Sequence, residues 1–149
     1  VKNNLLEISS HGLTHCVVGK HLPKLFSSNR RFHREFWDYL DQEIHDRHVI
    51  KSQKLIEKWL GHEPYSFVPP GNVYSPKTLT SVKKTKISLI NANKKVDADF
   101  ENIKFINNQN VFAFHDRDIS INGCSWLKRK ILDLKNRDNE IKFLNLKEL

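Results

Sequence analysis

Methionine is absent from the 149 residues and cysteine occurs only twice. The two thiols, Cys16 and Cys124, are too few for the disulfide framework of a small secreted scaffold. Cys16 directly follows His15 and reads either as a small buried thiol or as a soft ligand. With no methionine, and Val1 already on the approach to a strand, the chain is expected to lack its true start, so the missing signal peptide decides nothing. No run approaches the roughly 18 apolar residues of a membrane helix, so no segment is expected to span a bilayer. A basic stripe is missing too. The net charge of +8 comes from Lys interleaved with Asn, Ile and Asp, which describes a solvated surface and argues against a nucleic-acid partner.

What is present is an ordinary globular composition, 38% hydrophobic and 28% charged, on a chain long enough for one domain over 1–149. Residues 5–8 read as a strand, and residues 16–28, with Gly19 and Pro23, as a loop. Phe32, Phe36, Leu40 and Ile44 recur at helical spacing, and a second helix over 50–60 is expected to turn Leu55, Ile56, Trp59 and Leu60 inward and to stop at Gly61. His33, His45, His48 and His62 have no repeating spacing and are expected at the surface or as caps. Residues 65–68 read as a short strand entering the rigid turn Pro69-Pro70-Gly71-Asn72. Ser75-Pro76 opens a helix, residues 86–91 form a strand, and another is expected near 103–106. Residues 111–114 read as an apolar strand ending in His115-Asp116. A helix over 120–134, with Trp126, Leu127, Ile131 and Leu134 inward, and a strand over 140–146 follow. Alternating strands and helices predict a parallel α/β architecture with its chemistry at the strand ends.

The chain is organised around Glu7-Ile8-Ser9-Ser10-His11-Gly12-Leu13-Thr14-His15. Two imidazoles four residues apart fall on one face of a helical turn, a spacing that suits a metal. The same spacing arises by chance in a chain with eight His, so a solvated or hydrogen-bonded pair is the alternative.

Taken in order, Ser-His-x-x-x-His at one strand end, Phe67-x-Pro69-Pro70 at the next and a late His115 resemble motifs of the polysaccharide deacetylase family, the NodB-homology or carbohydrate esterase 4 group. The resemblance implies a distorted (β/α) barrel of parallel strands with outer helices, incomplete at its N-terminus. It implies removal of acetyl groups from an N-acetylated sugar or polysaccharide, or, as the alternative, a degenerate glycan-binding member of the same fold. On that reading His11 and His15 bind a divalent metal, most often zinc, which lowers the pKa of its water. His115 is the general acid, oriented by Asp116 or Asp118, and Pro69, Pro70, Gly71 and Asn72 wall the groove.

Several residues depart from that pattern. No Asp precedes His11, so the family's Asp pair is expected upstream of Val1. Val68 replaces the usual Arg, Gly71-Asn72 stands where an aromatic is common, and residues 97–100 make a poor fourth motif. The sugar and the oligomeric state stay open, and a cytoplasmic location is favoured over a secreted one.

Overall fold

The structure, a computed structural model, describes residues 7–14, 35–93, 100, 102–106, 111–112, 114–137 and 144. The chain divides into two compact units, Val1–Asn110 and Val111–Leu149.

The first unit is α/β. Helix α1 (Gln42–Leu60) leads to strand β1 (Ser66–Phe67), helix α2 (Pro76–Val82), strand β2 (Leu89–Asn91) and strand β3 (Lys104–Ile106). The strands pair in parallel in the order β1-β2-β3, and Ser10 adds a parallel bridge to Phe67 on the outer side of β1. Ser10 N–H donates to Ser66 O at 2.9 Å and Val68 N–H to Ser10 O at 2.8 Å. Four neighbouring segments therefore run the same way.

The register places Phe67, Ile90 and Phe105 in one row across the sheet. Side chains alternate between faces along a strand, so this row shares a face. It packs into a core with Phe36, Val49, Leu79 and Val82. Phe36 meets Phe67 edge-on, with ring centroids 5.4 Å apart. The row with Ser66 and Leu89 lies on the other face, where Ser9 Oγ and Ser66 Oγ are 2.6 Å apart.

α1 departs from the sequence-based expectation. It is one helix from Gln42, and residues 35–41 before it are not helical. Its buried residues are His45, His48, Val49, Ser52 and Gln53, spaced i, i+3, i+4, i+7 and i+8. Leu55, Trp59 and Leu60, expected inward, are exposed, Trp59 at 79%. His45 and His48, expected at the surface, are buried. On this face His45, His48 and Ser52 meet polar partners, whereas both amide atoms of buried Gln53 have none among the described residues. Gln42 Nε2 donates to Lys77 O and Ser81 Oγ of α2. His45 Nε2 lies 3.1 Å from Trp37 O and Nδ1 3.0 Å from Thr78 Oγ1. A carbonyl only accepts, so Nε2 carries the proton and Nδ1 accepts from the Thr78 hydroxyl. The helix stops at Gly61, as expected: φ is 78° and its N–H donates to Glu57 O at 2.7 Å. Pro76 follows Ser75, the N-cap of α2, and Thr78 Oγ1 accepts from the Ser75 N–H at 3.0 Å.

In the second unit, Val111, Phe112 and Phe114 form no strand, against expectation. The single helix expected over 120–134 is two, α3 (Asp116–Asn122) and α4 (Cys124–Arg137), broken at Gly123 with φ 75°. Trp126, Leu127, Ile131 and Leu134 form a half-buried stripe on α4. Among the described residues no helix is long and apolar enough to cross a membrane.

Candidate functional site

Parallel strands bring their carboxyl ends out at one edge, and three candidate features stand there in the first unit. His11 follows the Ser10 bridge, the Pro70–Asn72 turn follows β1, and Asn91 ends β2.

His11 is exposed, and its Nδ1 lies 2.6 Å from Val68 O. Nδ1 must donate to that carbonyl, which fixes the tautomer and leaves Nε2 as the accepting nitrogen of the neutral ring. Pro69 and Pro70 are buried, and Gly71 comes to the surface. Gly71 and Asn72 both adopt left-handed backbone, with φ 60° and 59°, which Gly accepts freely and Asn tolerates. Asn91 is half-buried, and its Oδ1 is buried with no hydrogen-bond partner among the described residues.

A polar cluster among the described residues lies just behind His11. Glu35 is 0% exposed. Its Oε1 accepts from Leu13 N–H at 2.6 Å. Oε2 accepts from Thr14 N–H and the Thr14 hydroxyl, both at 2.9 Å, and from His48 Nδ1–H at 2.6 Å. Burial pushes this carboxyl up, but the donors from His48, Thr14 and Leu13 outweigh it and bring the carboxyl below its ordinary value. Gly12 has φ 82° and packs directly on Glu35; a Cβ there would lie 1.6 Å from Oε1. Ser10 Oγ, 3.0 Å from Ser52 Oγ, ties the same segment to α1.

In the second unit His115 is the N-cap of α3 and is exposed, as is Asp116. Asp118 accepts from the His115 N–H at 2.8 Å, which holds its carboxyl below the ordinary value. Asp118, named as one possible partner of His115, is thus bonded to its backbone, with the ring Nδ1 3.6 Å away.

His15 and Cys16 lie outside the described residues, so of the expected metal pair only His11 is placed. Among the described residues no three His, Cys, Asp or Glu gather as metal ligands. The sequence reading missed Glu35 and His48. Glu35 stands between Arg34 and Phe36 in a charged stretch and looks like a solvated face. The available signal was the i, i+3 pair His45 and His48 on one face of an otherwise charged helix.

A model of glycosyl hydrolase family 57 matches residues 1–120. No curated protein and no solved structure matches the chain. The family match overturns the resemblance to polysaccharide deacetylases: the bond at issue is glycosidic, not the amide of an N-acetyl group. The deacetylase reaction, the NodB grouping and zinc lose their support with it. Strand ends are where parallel α/β folds carry ligand-binding residues whatever their chemistry, so such motifs do not by themselves specify a reaction. The family's enzymes are hydrolases that bind a sugar substrate. With 120 of its 149 residues matched, from Val1 through β1, β2 and β3, the chain belongs to glycosyl hydrolase family 57.

Proposed function

We propose that this chain takes part in hydrolysis of a glycosidic bond, with the first unit seating the sugar at the carboxyl ends of its parallel strands, against His11, Asn91 and the Gly71-Asn72 turn. One observation carries this reading. The Ser10 segment, β1, β2 and β3 are parallel neighbours in chain order, so His11, the turn and Asn91 share one edge of the sheet. Ligands of parallel α/β folds bind at that edge. The same consecutive order suits the (β/α)7 barrel of the family, whose inner wall would be the sheet face opposite α1 and α2.

The chemistry of the edge suits a polyhydroxylated ligand. The exposed His11 ring and the half-buried Asn91 amide are polar groups of the kind that hydrogen-bond sugar hydroxyls. Glu35 is not one of the two carboxylates that glycoside hydrolysis uses, because it is sealed from solvent and its oxygens are filled by four donors.

The test is release of reducing ends from α- and β-linked glucans and from N-acetylhexosamine oligomers, measured for the wild type and His11→Ala. The wild type should cleave at least one of these. Losing one hydrogen bond to the sugar should lower kcat/KM about tenfold in His11→Ala, without a matching loss of melting temperature. Acetate release without new reducing ends, or a His11→Ala enzyme at the wild-type rate, sinks the reading.

A further inference from the structure

We propose that Glu35, braced by His48, is a positioning residue that sets where the His11 imidazole meets the sugar. The inference rests on the reading that a sugar meets His11. Its basis is the way the strand end is gripped. In front, the His11 ring is pinned through Nδ1 to Val68 O at 2.6 Å. Behind, the three residues that follow His11 all meet one carboxylate. Gly12 packs against it, Leu13 N–H donates to Oε1, and Thr14 donates to Oε2 through both its backbone and its hydroxyl. His48 reaches the same Oε2 from α1 at 2.6 Å, so the loop is tied to the helix through the carboxylate.

A buried carboxylate is a costly way to anchor the three residues after His11, in a segment where His11 and Thr14 are exposed. An apolar side chain would fill that space more cheaply, yet it could not accept the two adjacent N–H groups and the hydroxyl. Charged groups inside a protein give directionality where packing gives only volume. Here the directed object is the backbone immediately after His11, and a shift of about 1 Å in a substrate-contacting group can cost up to about 100-fold in rate.

A double-mutant cycle separates positioning from bulk stabilisation. kcat/KM is measured on whichever of those glucans or N-acetylhexosamine oligomers the wild type cleaves, well below the melting temperature, for Glu35→Gln, His11→Ala and the double variant. Glutamine places an N–H group against donors, so Glu35→Gln should lower kcat/KM about tenfold or more and add nothing in the His11→Ala background. Nitrogen-15 spectra should show the Nδ1–H tautomer of His11 in the wild type and a mixture of tautomers in Glu35→Gln. If Glu35→Gln does not fold, Thr14→Val removes the hydroxyl contact to Glu35 and keeps the carboxylate. It should lose about threefold in kcat/KM, again only when His11 is present. Additive losses, or a variant with lowered melting temperature but unchanged kcat/KM and unchanged His11 tautomer, overturn the proposal. If His11→Ala has no effect on kcat/KM while Glu35→Gln still mixes the His11 tautomers, the sugar does not meet His11 and Glu35 positions the ring all the same.

Discussion

Gly12→Ala should destabilise the first unit by about 4 kcal/mol, whereas Gly61→Ala should cost only about 1 kcal/mol. The two glycines share nearly the same backbone, with φ of 82° and 78°, so the left-handed strain of a new Cβ is common to both. The space around them differs. At Gly61 nothing lies within 4 Å of the added Cβ. At Gly12 the Cβ would fall 1.6 Å from Glu35 Oε1, 2.8 Å from its Cδ and 3.1 Å from Phe36 Cε2. A flexible side chain end usually yields cheaply, but this one is fully buried and accepts from Leu13, Thr14 and His48. Moving it leaves those donors unpaired in a dry site, at roughly 1–3 kcal/mol for each group that finds no substitute. Thermal unfolding should show a drop of roughly 10 °C or more for Gly12→Ala and of a few degrees for Gly61→Ala. Equal shifts would mean that Glu35 can swing aside, and the grip on residues 12–14 would then be loose.

The same residues explain what the sequence disclosed and what it hid. Ser75-Pro76, Gly61 and the apolar run before Asn91 were legible because each follows from one residue's own backbone preference or from local hydrophobic period. α1 was misread because hydrophobic periodicity assumes that the apolar stripe faces inward. Leu55 and Trp59 made a convincing stripe, but the helix instead buries His45, His48, Ser52 and Gln53. Such a face is stable only when partners such as Trp37 O, Thr78, Glu35 and Ser10 arrive from distant positions, and no local pattern records their arrival. Glu35 hid for the same reason: its donors are 13, 21 and 22 residues away in the chain. The strand-end motifs failed differently. Ser-His and Phe-x-Pro-Pro stand at the carboxyl ends of parallel segments, a place that unrelated chemistries share, so residue types there do not specify a reaction.

Acidification should weaken the first unit in two steps, the upper set by His45 and the lower by Glu35. Burial holds the His45 pKa below its ordinary 6.5, against the opposing pull of the Trp37 carbonyl. The folded chain therefore refuses a proton that the unfolded chain takes up once the pH falls below about 6.5. Stability contributed by neutral His45 is complete above that pH and erodes as the pH drops toward the folded value. Protonation would also convert Nδ1 from the acceptor of the Thr78 hydroxyl into a donor, so the hydroxyl proton would have to turn away from the ring. The second step belongs to carboxylates. Glu35 is buried yet, through its donors, titrates below 4.5, so its contribution is complete above about pH 4.5 and is lost as the pH falls through its folded value. Asp46, held down chiefly by the Lys84 ammonium at 2.7 Å, adds to that lower step from a more exposed position. Both steps have the same sign, because in each window the unfolded state binds more protons. Denaturant titrations from pH 8 to pH 3.5 should show stability falling first just below pH 6.5 and again below pH 4.5. His45→Gln should flatten the upper step and leave the lower one, since Glu35 keeps its donors. A stability profile that rises on acidification between pH 7 and pH 5 would mean that His45 is charged in the folded protein, and the proton placement between Trp37 and Thr78 would be wrong.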